Sequence, residues 1–194
     1  MIKIGITGGI GSGKSVVASL LALSGVPVYI ADEESKLLTN TSPVIELFGK
    51  ELYTDNGLDR RLLASHIFNN PKQLKRVNEI IHPEVNRHFS TWVKRQNTPL
   101  CAIESAILFE SSFNKAVDVS LMVYAPKELR IKRALSRDAV PKAEIERRIN
   151  NQMPDEEKKE RSDYVIYNDD KRALIPQVQH LIHHLLTQKH SSFI

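Results

Sequence analysis

The sequence predicts an α/β fold: a five-stranded parallel sheet flanked by helices, carrying a helical insertion and a lid-like excursion. Three observations predict it. Five short apolar runs are continuous rather than alternating, which suits strands buried on both faces of a parallel sheet. Helix-like stretches lie between them, and strands alternating with helices argue for parallel βα units. A glycine-rich loop joins the first strand directly to the first helix.

The elements follow in order. "IKIGIT", Ile2 to Thr7, is the first strand, and the loop after it opens "KSVVASLLALSG", a helix stopped by Gly25. "VPVYI", Val26 to Ile30, is the second strand. About seventy residues then pass before the third, "PLCAIES", Pro99 to Ser105. That gap has helical patterning and a turn signal in "TDNGLDRR". "VSLMVYA", Val119 to Ala125, and "DYVIYN", Asp163 to Asn168, are the fourth and fifth strands. Between them "SRDAVPKAEIERRINNQMPDEEKKERS" is highly charged and helical in pattern, either a solvated hairpin or a mobile lid. Both excursions leave the carboxyl ends of strands, where open α/β sheets bind ligands. The expected organisation is one domain: a core of residues 1–32, 98–135 and 163–194, an insertion at about 33–97 and a lid at about 136–162.

The bulk numbers exclude several classes. At 194 residues, with 41% hydrophobic and 26% charged residues, the chain suits one buried core. No apolar run approaches the roughly 20 residues that span a bilayer. The start, "MIKIGITGG", lacks the layout of a signal peptide, so a cytoplasmic protein with no membrane association is expected. A single cysteine, Cys101, sits in a strand-like run and reads as a small core side chain. The net charge of +4 comes without a block of like charges or interleaved aromatics, so no nucleic-acid surface is expected. No protein partner is implied.

The loop is the strongest chemical signal. Gly8 to Ser15, "GGIGSGKS", matches G-x-x-x-x-G-K-S/T between a strand and a helix. Gly9, Ile10, Gly11, Ser12, Gly13, Lys14, Ser15 and Val16 are the candidate ATP-binding residues. Glycines let main-chain N–H groups converge on phosphate oxygens, and the helix adds its positive amino-terminal end. Lys14 neutralises the β- and γ-phosphates, and the Ser15 hydroxyl is the candidate Mg²⁺ ligand. The loop leaves the acceptor open. A guanine-reading N-K-x-D is not matched by "YNDDKR", and "VSLMVYAP" does not end in the acidic residue of a Walker B strand. Those failures favour a small-molecule kinase. A kinase of another nucleotide, or a non-catalytic nucleotide switch, remains as an alternative. Asp32, which follows the second strand, is either a helix cap or a base for the acceptor hydroxyl.

The chain resembles the dephospho-coenzyme A kinase family over nearly its whole length. After "GITGGIGSGKS", "GVPVYIADEESKLL" is similar to that family's G-x-x-V-x-D-A-D-x-x-A-R, and "DNGLDRRLLASHIFNNP" to its D-G-x-L-D-R stretch. The His82–Pro83 pair in "IHPEV", the "LFE" of "IESAILFES", the R-x-x-x-R-D of "LRIKRALSRD" and "SDYVIYND" follow in the family's order. The resemblance implies a P-loop kinase fold with a coenzyme A-binding insertion and a lid. It also implies transfer of the γ-phosphate of MgATP to the ribose 3′-hydroxyl of dephospho-coenzyme A. On it, Asp32 is the general base, Arg137 contacts ATP at the lid hinge with Arg133 near it, and Asn168 contacts adenine. Lys36, Arg60, His82 and Phe109 join Asp32 around the acceptor. Other roles exist for some: His82 before Pro83 as a helix turn, Phe109 as core, and Glu104 or Glu110 as a water-mediated Mg²⁺ partner or a lysine's counter-ion.

Several positions depart from the family pattern. Ile30 replaces the first Asp of D-A-D, Lys36 replaces an Arg and loses its bidentate fork, and Lys158 stands where an Arg is common. "ESAILFE" lacks the usual proline. None of these touches the phosphate loop.

Overall fold

The computed structural model describes residues 1–38, 52–54, 57–59, 62, 71–138 and 140–191. They fall into two compact units, Met1–Tyr29 with Arg95–Ile194, and Ile30–Lys94.

The larger unit is built on the predicted sheet. Its strands are β1 (Ile2–Thr7), β2 (Val28–Ile30), β5 (Leu100–Glu104), β6 (Val119–Tyr124) and β7 (Tyr164–Tyr167), in the order β2-β5-β1-β6-β7. The hairpin β3 (Tyr53–Thr54) and β4 (Gly57–Leu58) pairs separately and antiparallel. β1 is central and parallel to both neighbours, with Ile6 opposite Glu104 on one side and Leu121 on the other. Burial on both faces explains the unbroken apolar runs: Ile4, Ile6, Leu121, Met122 and Val123 have no exposed surface.

Helices α1 (Lys14–Leu23) and α7 (Leu174–Ser191) cover one face. Val17, Ala18 and Leu21 of the first meet Val178, Leu181 and Leu185 of the second over Ile4, Ala102 and Ile166. The spacing of these positions is the one-face pattern of a 3.6-residue turn. Each fully buried Leu or Ile contributes about 1.5–3 kcal/mol by leaving water. Cys101 is wholly buried in β5, and burial pushes its thiol above the ordinary range, as a core residue requires.

The charged excursion folds as helices. After α4 (Lys127–Arg137) come α5 (Lys142–Asn150) and α6 (Asp155–Arg161), each of the three preceded by a proline. Asp138 links the ends of the first two, accepting from Arg137 at 2.8 and 3.1 Å and facing Arg148 at 3.6 Å. Arg137's hydrogen bond holds the Asp138 carboxyl below the usual aspartate range. Lys158 is buried without exposure, donating to the Ala106 carbonyl at 2.6 Å and pairing with Glu110 at 3.0 Å. Glu110 also accepts from the Met153 N–H at 2.9 Å, so of the two roles open to it, this side chain holds the lysine.

The smaller unit contains α2 (Ala31–Leu38), the β3–β4 hairpin and α3 (Pro71–Val93). The two helices pack together, and Glu34 meets His88 at 3.3 Å. His82–Pro83 does not turn the chain: α3 runs through Pro83, forgoing one main-chain hydrogen bond. Among the described residues no helix is long and apolar enough to cross a membrane.

Candidate active site

The phosphate loop leaves β1 at Thr7 and enters α1 at Lys14. Gly13 caps that helix in the left-handed region at φ 92° and, being glycine, makes no side-chain cap hydrogen bond. There is also no acidic residue in the first turn. The helix therefore directs its partial positive charge at the loop with no acidic residue of its first turn to offset it, which favours an anion there. Gly11 is also left-handed, at φ 77°.

The loop is packed from outside as tightly as it is turned. A Cβ on Gly9 would fall inside the Arg130 guanidinium, and one on Gly11 inside the Arg130 main chain. A Cβ on Gly13 would overlap the Asn168 amide. Glycine is needed here for clearance as well as for backbone freedom.

Two elements hold the loop in place. From α4, Arg130 is 2% exposed, donates to the Ile10 carbonyl at 3.3 Å and pairs with Asp155 of α6. From the end of β7, Asn168 donates its side-chain amide to the Ser12 carbonyl at 2.8 Å. Asn168 is itself fixed by Arg133, which donates to its main-chain oxygen at 3.0 Å and to its side-chain oxygen at 3.4 Å. Arg133 reaches Asp170 as well, at 2.5 Å. The charged excursion adds a third tie, for the Ile10 N–H donates to Gln152 Oε1 at 3.3 Å. Burial pushes the Asp155 carboxyl up, while Arg130 and Lys158 pull it back.

Lys14 lies at the head of α1, with Nζ 3.5 Å from the Gly9 carbonyl. Ser15 and Val16 are exposed on the first turn. Thr7 Oγ1 and Ser12 Oγ are buried without a hydrogen-bond partner where the strand becomes the loop. Glu104, 8% exposed, ends β5 directly beside Ile6. Among the described residues no three His, Cys, Asp or Glu side chains cluster as a metal site. An exposed hydroxyl in the first turn, a carboxylate on the adjoining strand and an anion-ready loop fit a Mg²⁺ that arrives with nucleotide phosphates. Mg²⁺ takes few protein ligands and keeps several waters.

The remaining sequence candidates are dispersed. Arg137 ends α4 with its side chain 66% exposed and engaged with Asp138. It follows Arg130 and Arg133 at helical spacing, so these arginines run from the loop outward. Phe109 is half-buried in a cavity of about 150 Å³ with Asn114, Asp118, Ser120 and Asp163, which lie where β6 and β7 begin. Asp32, Lys36 and His82 belong to the smaller unit: Asp32 and Lys36 are exposed on α2, and burial lowers the His82 imidazole's affinity for a proton. Arg60 lies outside the described residues. Sequence reasoning missed Arg130, Gln152 and Asp155. The one signal available was the i, i+3, i+7 spacing of arginines on α4.

Comparison with known proteins agrees with this geometry. The family model described as dephospho-CoA kinase matches residues 2–173. A dephospho-CoA kinase from Bacteroides fragilis is 49% identical over 195 residues, covering 97% of this chain and 95% of its own. The crystal structure of TT1252 from Thermus thermophilus superposes with a TM-score of 0.83 at 34% identity, covering 96% of this chain and 97% of that one. A shikimate kinase from Acinetobacter baumannii, at 17% identity and a TM-score of 0.58, covers 97% of this chain and 95% of its own, and shares the fold.

Proposed function

The chain belongs to the dephospho-CoA kinase family, which transfers phosphate from ATP to an alcohol group, and from that premise we propose how its residues divide the work. The reaction carries the γ-phosphate of ATP to the ribose 3′-hydroxyl of dephospho-coenzyme A, giving ADP and coenzyme A, the closing step of coenzyme A synthesis.

One observation carries the donor side: a glycine loop opening an uncapped helix, with Lys14 at its head. The loop from Gly9 to Val16 binds the phosphates through main-chain N–H groups other than those of Ile10, Ser12 and Val16, which Gln152, Gly9 and Gly13 hold, and Lys14 offsets charge on the β- and γ-oxygens. The exposed Ser15 hydroxyl would hold a Mg²⁺ that arrives with the nucleotide, and such an ion would supply further charge neutralisation. Arg137, exposed at the end of α4, exchanges Asp138 for nucleotide phosphate or base. Asn168 and Arg133 border the adenine. In-line transfer needs little covalent help from the protein, so positioning supplies most of the rate.

On the acceptor side, Asp32 accepts the 3′-hydroxyl proton, supported by its place two residues after the carboxyl end of β2. A single carboxylate serves, since Ile30 occupies the position two residues before it. Lys36, Arg60 and His82 contact dephospho-coenzyme A, whereas Phe109 lines the cavity at the amino ends of β6 and β7, away from the phosphate-loop edge. Seating of the lid excludes water and suppresses hydrolysis.

The test is ADP release from MgATP with and without candidate acceptors. Stimulation by dephospho-coenzyme A alone supports this reading. Stimulation by a nucleoside monophosphate would assign a different acceptor, and indifference to any acceptor would make the protein a nucleotide switch.

A further inference from the structure

We infer that Arg130 and Asp155 form a buried latch through which the lid sets the shape of the phosphate loop, making both of them positioning residues for ATP. This rests on ATP being the nucleotide that the loop holds, and on no assumption about the acceptor.

Arg130 packs against the loop through both its side chain and its main chain. Its guanidinium fills the space beside Gly9 and donates to the Ile10 carbonyl, while its own main chain closes off Gly11. A peptide whose carbonyl is held on one side has its N–H directed to the other. Fixing the Ile10 carbonyl therefore fixes the orientation of the neighbouring N–H groups that would meet phosphate.

The guanidinium is almost wholly buried, and its Nε has no partner. A buried cation in this state depends on its counter-ion, because removing one partner leaves a charge without compensation. Asp155 is that counter-ion, and it comes from the first turn of α6 in the lid excursion. Gln152, three residues earlier, binds the same loop residue from the N–H side. The two successive peptide groups that flank Ile10 thus depend on one short stretch of lid, residues 152–155: the first through Gln152 and the second through Arg130 and its partner Asp155. Lys158, fully buried against Ala106 and Glu110, anchors the next turn of α6 to the body of the unit. The loop keeps its anion-ready form only while this stretch is seated.

The latch predicts coupling that a merely stabilising ion pair would not give. ATP affinity is measured directly by calorimetry, without acceptor, alongside the thermal midpoint of the nucleotide-free protein. Asp155→Asn and Arg130→Gln should each weaken ATP binding by about tenfold or more. The double variant, whose two amides can pair, should weaken it by at least fivefold less than the product of the single effects. In turnover assays the loss should fall on KM for ATP, with KM for dephospho-coenzyme A within about twofold of the parent. Arg130→Lys keeps the buried charge and loses the fork that reaches both Ile10 and Asp155. It should keep its thermal midpoint and bind ATP severalfold more weakly, so the question is answered even if a neutral variant fails to fold. Parent-like ATP affinity in Arg130→Lys, or single effects that multiply without coupling, would overturn the latch. A failure of dephospho-coenzyme A to stimulate turnover would leave the binding result standing and count against the acceptor alone.

Discussion

Asn168 donates its side-chain amide to the main-chain carbonyl of Ser12 at 2.8 Å, joining the end of the last strand to the phosphate loop. Arg133 fixes the amide's orientation by donating to its oxygen. Asn168→Ala removes the clamp and should cost about 0.5–1.5 kcal/mol in urea unfolding. Asn168→Asp should be worse for ATP, since an anionic acceptor would face the Ser12 carbonyl and the nucleotide phosphates. Calorimetric ATP affinity should therefore rank parent, Ala, Asp. Equal affinities would show that the clamp has no part in nucleotide binding.

The glycines of the loop should differ in their tolerance. An alanine at Gly11 meets the main chain of Arg130 and must hold φ near 77°, a conformation costing about 1–2 kcal/mol outside glycine. An alanine at Gly9 meets the Arg130 guanidinium and the Asp155 carboxylate, so it has to dislodge the latch pair. Both variants should lose ATP binding by about tenfold or more, and Gly11→Ala the more, since it also carries the backbone strain. The reverse order would contradict the packing described.

The boundary of what the sequence discloses runs through this same loop. β1 occupies Ile2–Thr7 as the unbroken apolar run predicts, because a central strand buried on both faces leaves no ambiguity of period. β2 starts at Val28 rather than Val26, since Pro27 offers no N–H to a ladder, though its carbonyl accepts from Ala102 at 2.8 Å. The glycine motif announces an anion site through its own residues. What surrounds it is supplied by Arg130, Gln152 and Asp155, more than a hundred residues later in the chain, and no local periodicity marks a side chain that folds back onto a distant peptide. His82–Pro83 shows the opposite limit: a strong local break signal yields to the packing of a long helix.

Acid stability should depend on Asp163. Its carboxylate accepts from the Ser120 hydroxyl and the Ser120 N–H, each at 2.7 Å, binding the start of β7 to β6. The hydroxyl bond, ahead of the main-chain one, holds its pKa below the ordinary value of about 3.9. The unfolded chain then binds the proton more tightly, so this contribution is complete above about pH 4 and lost as pH falls through the lowered native value. Asp163→Asn should be less stable than the parent at pH 7, with the gap closing as the pH falls through that lowered native value. Parallel unfolding curves across that range would remove the role.

Asp32→Asn should lower kcat by roughly 10²-fold or more while calorimetric ATP affinity stays within about threefold. A kcat close to the parent's would mean that positioning alone carries the step, as a loose phosphoryl-transfer transition state permits.

The most direct test is the stoichiometry and site of transfer. With MgATP and dephospho-coenzyme A, ADP and coenzyme A should appear one for one, the acceptor gaining a single phosphoryl group at the ribose 3′-position by mass and ³¹P spectra. ADP released with the acceptor unchanged, or a phosphate placed at any other position, would contradict the assignment.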